Sequence, residues 1–184
     1  MKLNRNKVVA AVLAALMLVS GLSACGTNSS GNGMSRVKLY SSVSEMQGDS
    51  DAVIIGKVQS DGDTVKDVDA STSFTLAKVQ VLSVVSGSVG DKTEVTVRQT
   101  GTKDTASGSL LAKDDTVMLF LVKSGLPGDK AEQYYITGST AGVYRASGDA
   151  STASAQASDA TFQRVDGDSG DSLPGEIRLS DLKR

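Results

Sequence analysis

Few residues in this chain pair a reactive side chain with a spacing that chemistry could use, and Cys25 comes first among them. It is the single cysteine, and histidine is absent from all 184 residues. A thiolate is a strong nucleophile, but a lone thiol has no intramolecular disulfide partner and no companion for a thiolate metal site. The lack of histidine removes Ser-His-Asp and Cys-His triads, His-ligated zinc and imidazole general bases. A Ser-Lys pair stays formally open, because both residue types are common and their proximity is not written in the sequence. No catalytic residue is assigned.

Two aspartate clusters come next. Asp61-Gly62-Asp63 and Asp166-Gly167-Asp168-Ser169-Gly170-Asp171 gather carboxylates, which hard cations favour. Counted from Asp166, however, the fifth position of a twelve-residue calcium loop falls on Gly170, the sixth on Asp171 and the twelfth on Ile177. A solvated turn is therefore expected at both places, with weak calcium binding as the alternative; no metal site and no cofactor is assigned. Adjacent Tyr134 and Tyr135 must point to opposite faces of a strand, so one packs inside and the other lies at the surface or in a groove. They are the weak candidates for ligand contact. No Gly-rich loop follows a strand and opens a helix, which leaves nucleotide binding without support.

The surroundings of Cys25 explain its presence. Residues 1–7 carry three positive charges and no acid, and residues 8–19 run without a polar side chain. That is an n-region followed by an h-region, too short for the roughly 20 apolar residues of a membrane span. It ends in Leu22-Ser23-Ala24-Cys25-Gly26, which resembles the lipobox of bacterial prolipoproteins. The resemblance implies diacylglycerol transfer to the Cys25 thiol and cleavage between Ala24 and Cys25 by signal peptidase II. Two acyl chains retain a protein on a bilayer where one chain binds reversibly. The expected organisation is a signal peptide over 1–24, a lipid-anchored tether over 25–36 and a single domain over 37–184, on the extracytoplasmic face of the cell membrane. The alternative is a stray cysteine in a plain signal peptide or an uncleaved anchor. Asn28-Ser29-Ser30, within the tether, matches a glycosylation acceptor only by chance in that setting.

Removal of residues 1–24 takes three of the 19 basic residues and none of the 21 acidic ones, leaving sixteen against 21 and a net charge of −5. Such a balance gives no electrostatic basis for nucleic-acid or anionic-headgroup binding. With no tryptophan, three phenylalanines and four tyrosines, the core must be aliphatic. Short β-branched runs separated by Gly/Asp turns predict strands over 51–58, 73–85, 92–100, 116–122, 133–137, 142–146 and 161–165. Residues 42–48 predict a short helix with Val43 and Met46 on one face, and Ser180 is placed as cap of a second one. The alternation in 73–85 slips between Phe74/Leu76 and Val79/Val81, predicting a bulge. Residues 116–122 are apolar on both faces and should be the most central strand. Residues 101–108 are expected as a surface loop and 147–160 as a mobile hairpin tip. No second core is expected.

The resulting fold class is mainly β: a small, partly closed antiparallel β-barrel, OB-like, with one or two short helices. Residues 51–58, 74–91 and 114–121, with Gly142-Val143-Tyr144, resemble a family of uncharacterised small lipoproteins from Gram-positive bacteria. More distantly they resemble the OB-like barrel of netrin and metalloproteinase-inhibitor modules. Those inhibitors act through an amino-terminal cysteine and carry several disulfides, which this chain lacks. The implied function is a non-enzymatic binding or accessory module, held by membrane lipid through acylated Cys25 and meeting a surface protein, peptide or glycan. A cell-wall or surface hydrolase of unrecognised type and a structural envelope protein are the alternatives.

Overall fold

The β-branched runs read as strands do form strands in the computed structural model, which describes residues 38–66, 72–105, 110–147, 155–167 and 170–182. The signal segment 1–24, Cys25 and the tether 25–36 lie outside the described residues. In chain order come α1 (Val43–Gly48), β1 (Ala52–Val58), β2 (Asp63–Lys66), β3 (Ser73–Gly87), β4 (Glu94–Thr100), β5 (Thr116–Lys123), β6 (Gln133–Ile136), β7 (Val143–Ala146), β8 (Thr161–Arg164), β9 (Glu176–Arg178) and α2 (Leu179–Leu182). Among the described residues no helix is long and apolar enough to cross a membrane.

Five strands close into a barrel in the order β1-β3-β4-β6-β5, with β5 returning to β1. Four of these pairings are antiparallel; β4 and β6 run parallel, with Val97 opposite Tyr134 and Arg98 opposite Tyr135. This is the small OB-like barrel that the strand pattern predicted, with its closure complete. The parallel step arises because the β5–β6 connection brings β6 back beside β4. One end of the barrel gathers the close of β1, the close of β4 and the start of β5. The opposite end gathers the β3–β4 turn, the close of β5 and the start of β6.

β5 pairs with β1, β6 and β7, so its two apolar faces both find cover. Val117, Leu119 and Leu121 join Ile54, Val58, Val79, Val95, Val97 and Tyr134 inside the barrel. Met118 and Phe120 join Val53 and Ile55 in a second cluster outside it, roofed by Tyr144, Phe162, Ile177 and Leu179. A second core therefore exists, contrary to the sequence expectation. Its roof is built of short segments with one or two apolar residues each, which carry no periodic signal, and it shares β1 and β5 with the barrel. Gly56 lets β1 and β3 approach closely: a Cβ there would lie 2.4 Å from Val79 Cγ1.

The irregularity predicted between Leu76 and Val79 falls elsewhere. Residues 74–80 pair with β4 in unbroken register, with Thr75, Ala77 and Val79 buried. Phe74 and Leu76 are apolar residues on the outer face, which is what makes the alternation look broken. The real shifts face β1, where Val53/Ile54 and Ile55/Gly56 skip a residue of β3. They turn Leu82 and Val85 toward the outer cluster, bending one long strand between two cores.

α1 is capped by the Ser42 hydroxyl, which accepts from Glu45 N at 3.2 Å, while the Glu45 carboxylate accepts from Ser41 N at 3.0 Å. Such reciprocal bonds satisfy orphan donors of the first turn. Ser180 lies inside α2 instead of capping it, because the helix begins at Leu179. Of the predicted hairpin tip, residues 148–154 lie outside the described residues; of the rest, Ser147 and residues 156–159 are exposed, Ala155 is buried and Gln156 Nε2 donates to Leu82 O.

Candidate functional site: a cleft at one end of the barrel

At the end of the barrel beyond Gly87 and Lys123, the β3–β4 turn and the β5–β6 connection stand apart and leave a cleft of about 790 Å³. Ser88, Val89, Gly90, Asp91 and Lys92 line one wall; Lys123, Ala131, Glu132 and Tyr134 line the other. The volume falls in the range of ligand-binding cavities. Local chemistry shapes the first wall: Gly87 and Gly90 adopt positive φ of 70° and 67°, conformations costly for residues with a Cβ. A Cβ on Gly87 would lie 2.0 Å from Asp51 O. The Ser88 hydroxyl accepts from Gly90 N at 3.0 Å and so tightens the turn. Gly128–Glu132, a 3₁₀ turn, delivers Glu132 to the second wall.

Tyr134 forms the floor. It is 2% exposed, its ring packed in the barrel interior. Its hydroxyl makes no hydrogen bond to a described group, and it is not sealed from solvent. Lys123 stands directly opposite Tyr134 across the β5–β6 pairing, so both side chains share a face. The Lys92 ammonium lies 6.0 Å from the Tyr134 ring centroid and is paired with the Glu132 carboxylate across the cleft. That contact holds the Lys92 ammonium above the ordinary lysine range and the Glu132 carboxyl below the ordinary carboxylate range. Among the described residues the Lys123 ammonium and the Asp91 carboxylate make no ion pair.

The other sequence candidates fall in different places. Tyr135 is half-buried on the outer face of the barrel, beside Arg98, where the Arg98 guanidinium stacks 4.0 Å over Phe74. The tyrosine pair thus points to opposite faces, Tyr134 inward and Tyr135 outward. The carboxylate of Asp61 accepts from Lys103 Nζ at 2.8 Å and Lys113 N at 2.9 Å, so this turn is a cross-link, held below the ordinary carboxylate range chiefly by Lys103. Asp166 accepts from Thr140 Oγ1 at 2.6 Å and Asp171 from Tyr40 N at 2.6 Å; Asp168 lies outside the described residues. Among the described residues, no group of three or more carboxylate, cysteine or histidine side chains is placed to hold a metal ion. Lys38, Lys78, Lys92 and Lys103 each meet a carboxylate. Cys25 and Ala24 lie outside the described residues.

Sequence reasoning missed Lys92, Lys123 and Glu132. They come from three separate stretches, and only the β5–β6 register, which no local pattern encodes, sets Lys123 against Tyr134. No protein-family model, characterised protein or solved structure matches this chain.

Proposed function

We propose that the chain is a cell-envelope lipoprotein that works as a non-enzymatic binding module, displayed on the outer face of the membrane by lipid on Cys25. The observation that carries the binding reading is the cleft floored by Tyr134, whose ring is buried while its hydroxyl, open to solvent, bonds no described group, with Lys92 and Lys123 lining the same opening. Pockets with a few convergent polar groups are where ligands bind. The anchor reading is supported by the n-region, h-region and Leu22-Ser23-Ala24-Cys25 order. Residues 25–36, rich in glycine, serine and asparagine, have the composition of a linker between such an anchor and a module that meets a surface protein, peptide or glycan.

Affinity capture from solubilised envelope with the tagged full chain tests the reading. Wild type should enrich a partner that Lys123→Glu loses and Lys66→Glu, an exposed charge change on β2, retains. Equal capture by both variants, or none by wild type, contradicts it. Cys25→Ser should move the protein from the membrane to the soluble fraction; unchanged membrane partition would remove the anchor.

A further inference from the structure

We infer that the cleft recognises an anionic oxygen group, a carboxylate or a phosphate, through Tyr134, Lys123 and Lys92. This rests on the binding reading of the cleft and names the chemistry it selects. Residues with three donors line one opening: Tyr134, whose hydroxyl bonds no described group, Lys123 opposite it in the β5–β6 pairing and Lys92, whose ammonium lies beside its ring. Among the described residues only Lys92 of the three is hydrogen-bonded to an acceptor, the Glu132 carboxylate, which also feels the Lys123 charge.

The Glu132 side chain is 73% exposed, and its carboxylate meets the Lys92 ammonium. It is an internal occupant of the position that a ligand anion would take. A ligand oxygen that displaced Glu132 from Lys92 would gain the Lys123 ammonium and the Tyr134 hydroxyl as well. Hydrogen bonds with an ionised partner are about twice as strong as neutral ones, which favours an anion over a neutral group at this set of donors. Asp91 on the facing wall disfavours high negative charge and favours a single carboxylate or phosphate carried on a larger molecule, such as the end of a peptide chain.

The test is titration of the full chain in detergent micelles, followed through backbone amide resonances, with three probes: N-acetyl-alanyl-alanine as free acid, the same peptide as its amide, and inorganic phosphate. Saturable shifts confined to residues 88–92 and 123–134 are expected with the free acid or phosphate. The amide should bind about tenfold more weakly, the factor expected for one charge-assisted hydrogen bond. Tyr134→Phe, which keeps the ring, and Lys123→Gln should each weaken binding about tenfold, and Glu132→Gln should tighten it about threefold by removing the internal competitor. A response to the free acid alone assigns a peptide carboxylate, and a response to phosphate alone assigns a phosphate group; both uphold the inference. It is overturned if neither anion gives saturable shifts in wild type or in Glu132→Gln, if the amide binds as tightly as the acid, or if Tyr134→Phe and Lys123→Gln bind like wild type. Should a partner still be captured from the envelope while no anion binds, the anion chemistry fails and the binding module stands.

Discussion

The two ends of the barrel are built to different rules. At the end where β1 closes and β5 begins, described polar groups are tied to one another. Asp61 links Lys103 to Lys113, Arg145 Nε donates to Asp115 at 2.8 Å and its Nη2 to Leu110 O at 3.0 Å, and Leu111 N donates to Gln99 Oε1 at 2.9 Å. Asp114 N donates to Val58 O at 3.0 Å and Val58 N to Asp115 O at 2.9 Å. At the opposite end one ion pair between described residues, Lys92 with Glu132, spans a cleft whose floor hydroxyl, on Tyr134, is open to solvent. The laced end keeps one buried amide, Gln99 Nε2, without a partner among the described residues, so the two ends differ in how densely their loops are cross-linked and not in complete satisfaction. We therefore read the laced end as scaffold and propose the open end, where the loops part, as the place for a ligand.

Removing the interior that serves both ends should have the largest effect. Leu119 is fully buried, and Leu119→Ala should cost about 2–5 kcal/mol in urea unfolding, weakening both ends alike. Gly87→Ala comes next, at about 3 kcal/mol, since the added Cβ meets Asp51 O and the positive φ is retained. Gly90→Ala on the same turn, with open space around it, should cost only about 1 kcal/mol. If those two glycine variants were equal, the cleft wall would not be positioned as described.

Arg145→Ala should cost about 1–2 kcal/mol by unlacing the closed end, with ligand capture at the cleft unchanged. The buried tyrosines sharpen the comparison most finely. Tyr144 donates to Pro174 O at 3.2 Å, so Tyr144→Phe should cost about 1 kcal/mol. Tyr134→Phe, which breaks no bond to a described group, should stay within about 0.5 kcal/mol while impairing binding. Burial pushes the Tyr144 hydroxyl up to about 12 from its ordinary 10.0. Its neutral form is therefore favoured by folding: the stability it adds is fully present below the unfolded value and lost as pH rises through the folded one. Urea midpoints of wild type should fall across that alkaline window, and Tyr144→Phe should fall less.

Much of the scaffold was legible in residue order. The two apolar faces of β5 announced a central strand, the glycine and aspartate turns set strand limits, and Ser42 with Glu45 marked a helix start. β2 and β9 were not, because Val65 and Ile177 are their single apolar residues and pairing, not pattern, makes them strands. The outer core was hidden for a related reason: Tyr40, Met46, Phe162, Leu173 and Leu182 meet only after the chain folds. The tyrosine pair exposed half of the candidate site. Its lysines stayed hidden, because a charged residue at a strand end looks like any solvated one until the register places it.

The claim that one end of the barrel is a working surface is tested most directly by hydrogen exchange of the full chain with and without solubilised envelope. Slower exchange should appear across residues 88–92 and 123–134, with residues 61–63 and 110–115 unchanged. No change at the cleft, or protection confined to the laced end, would contradict the assignment.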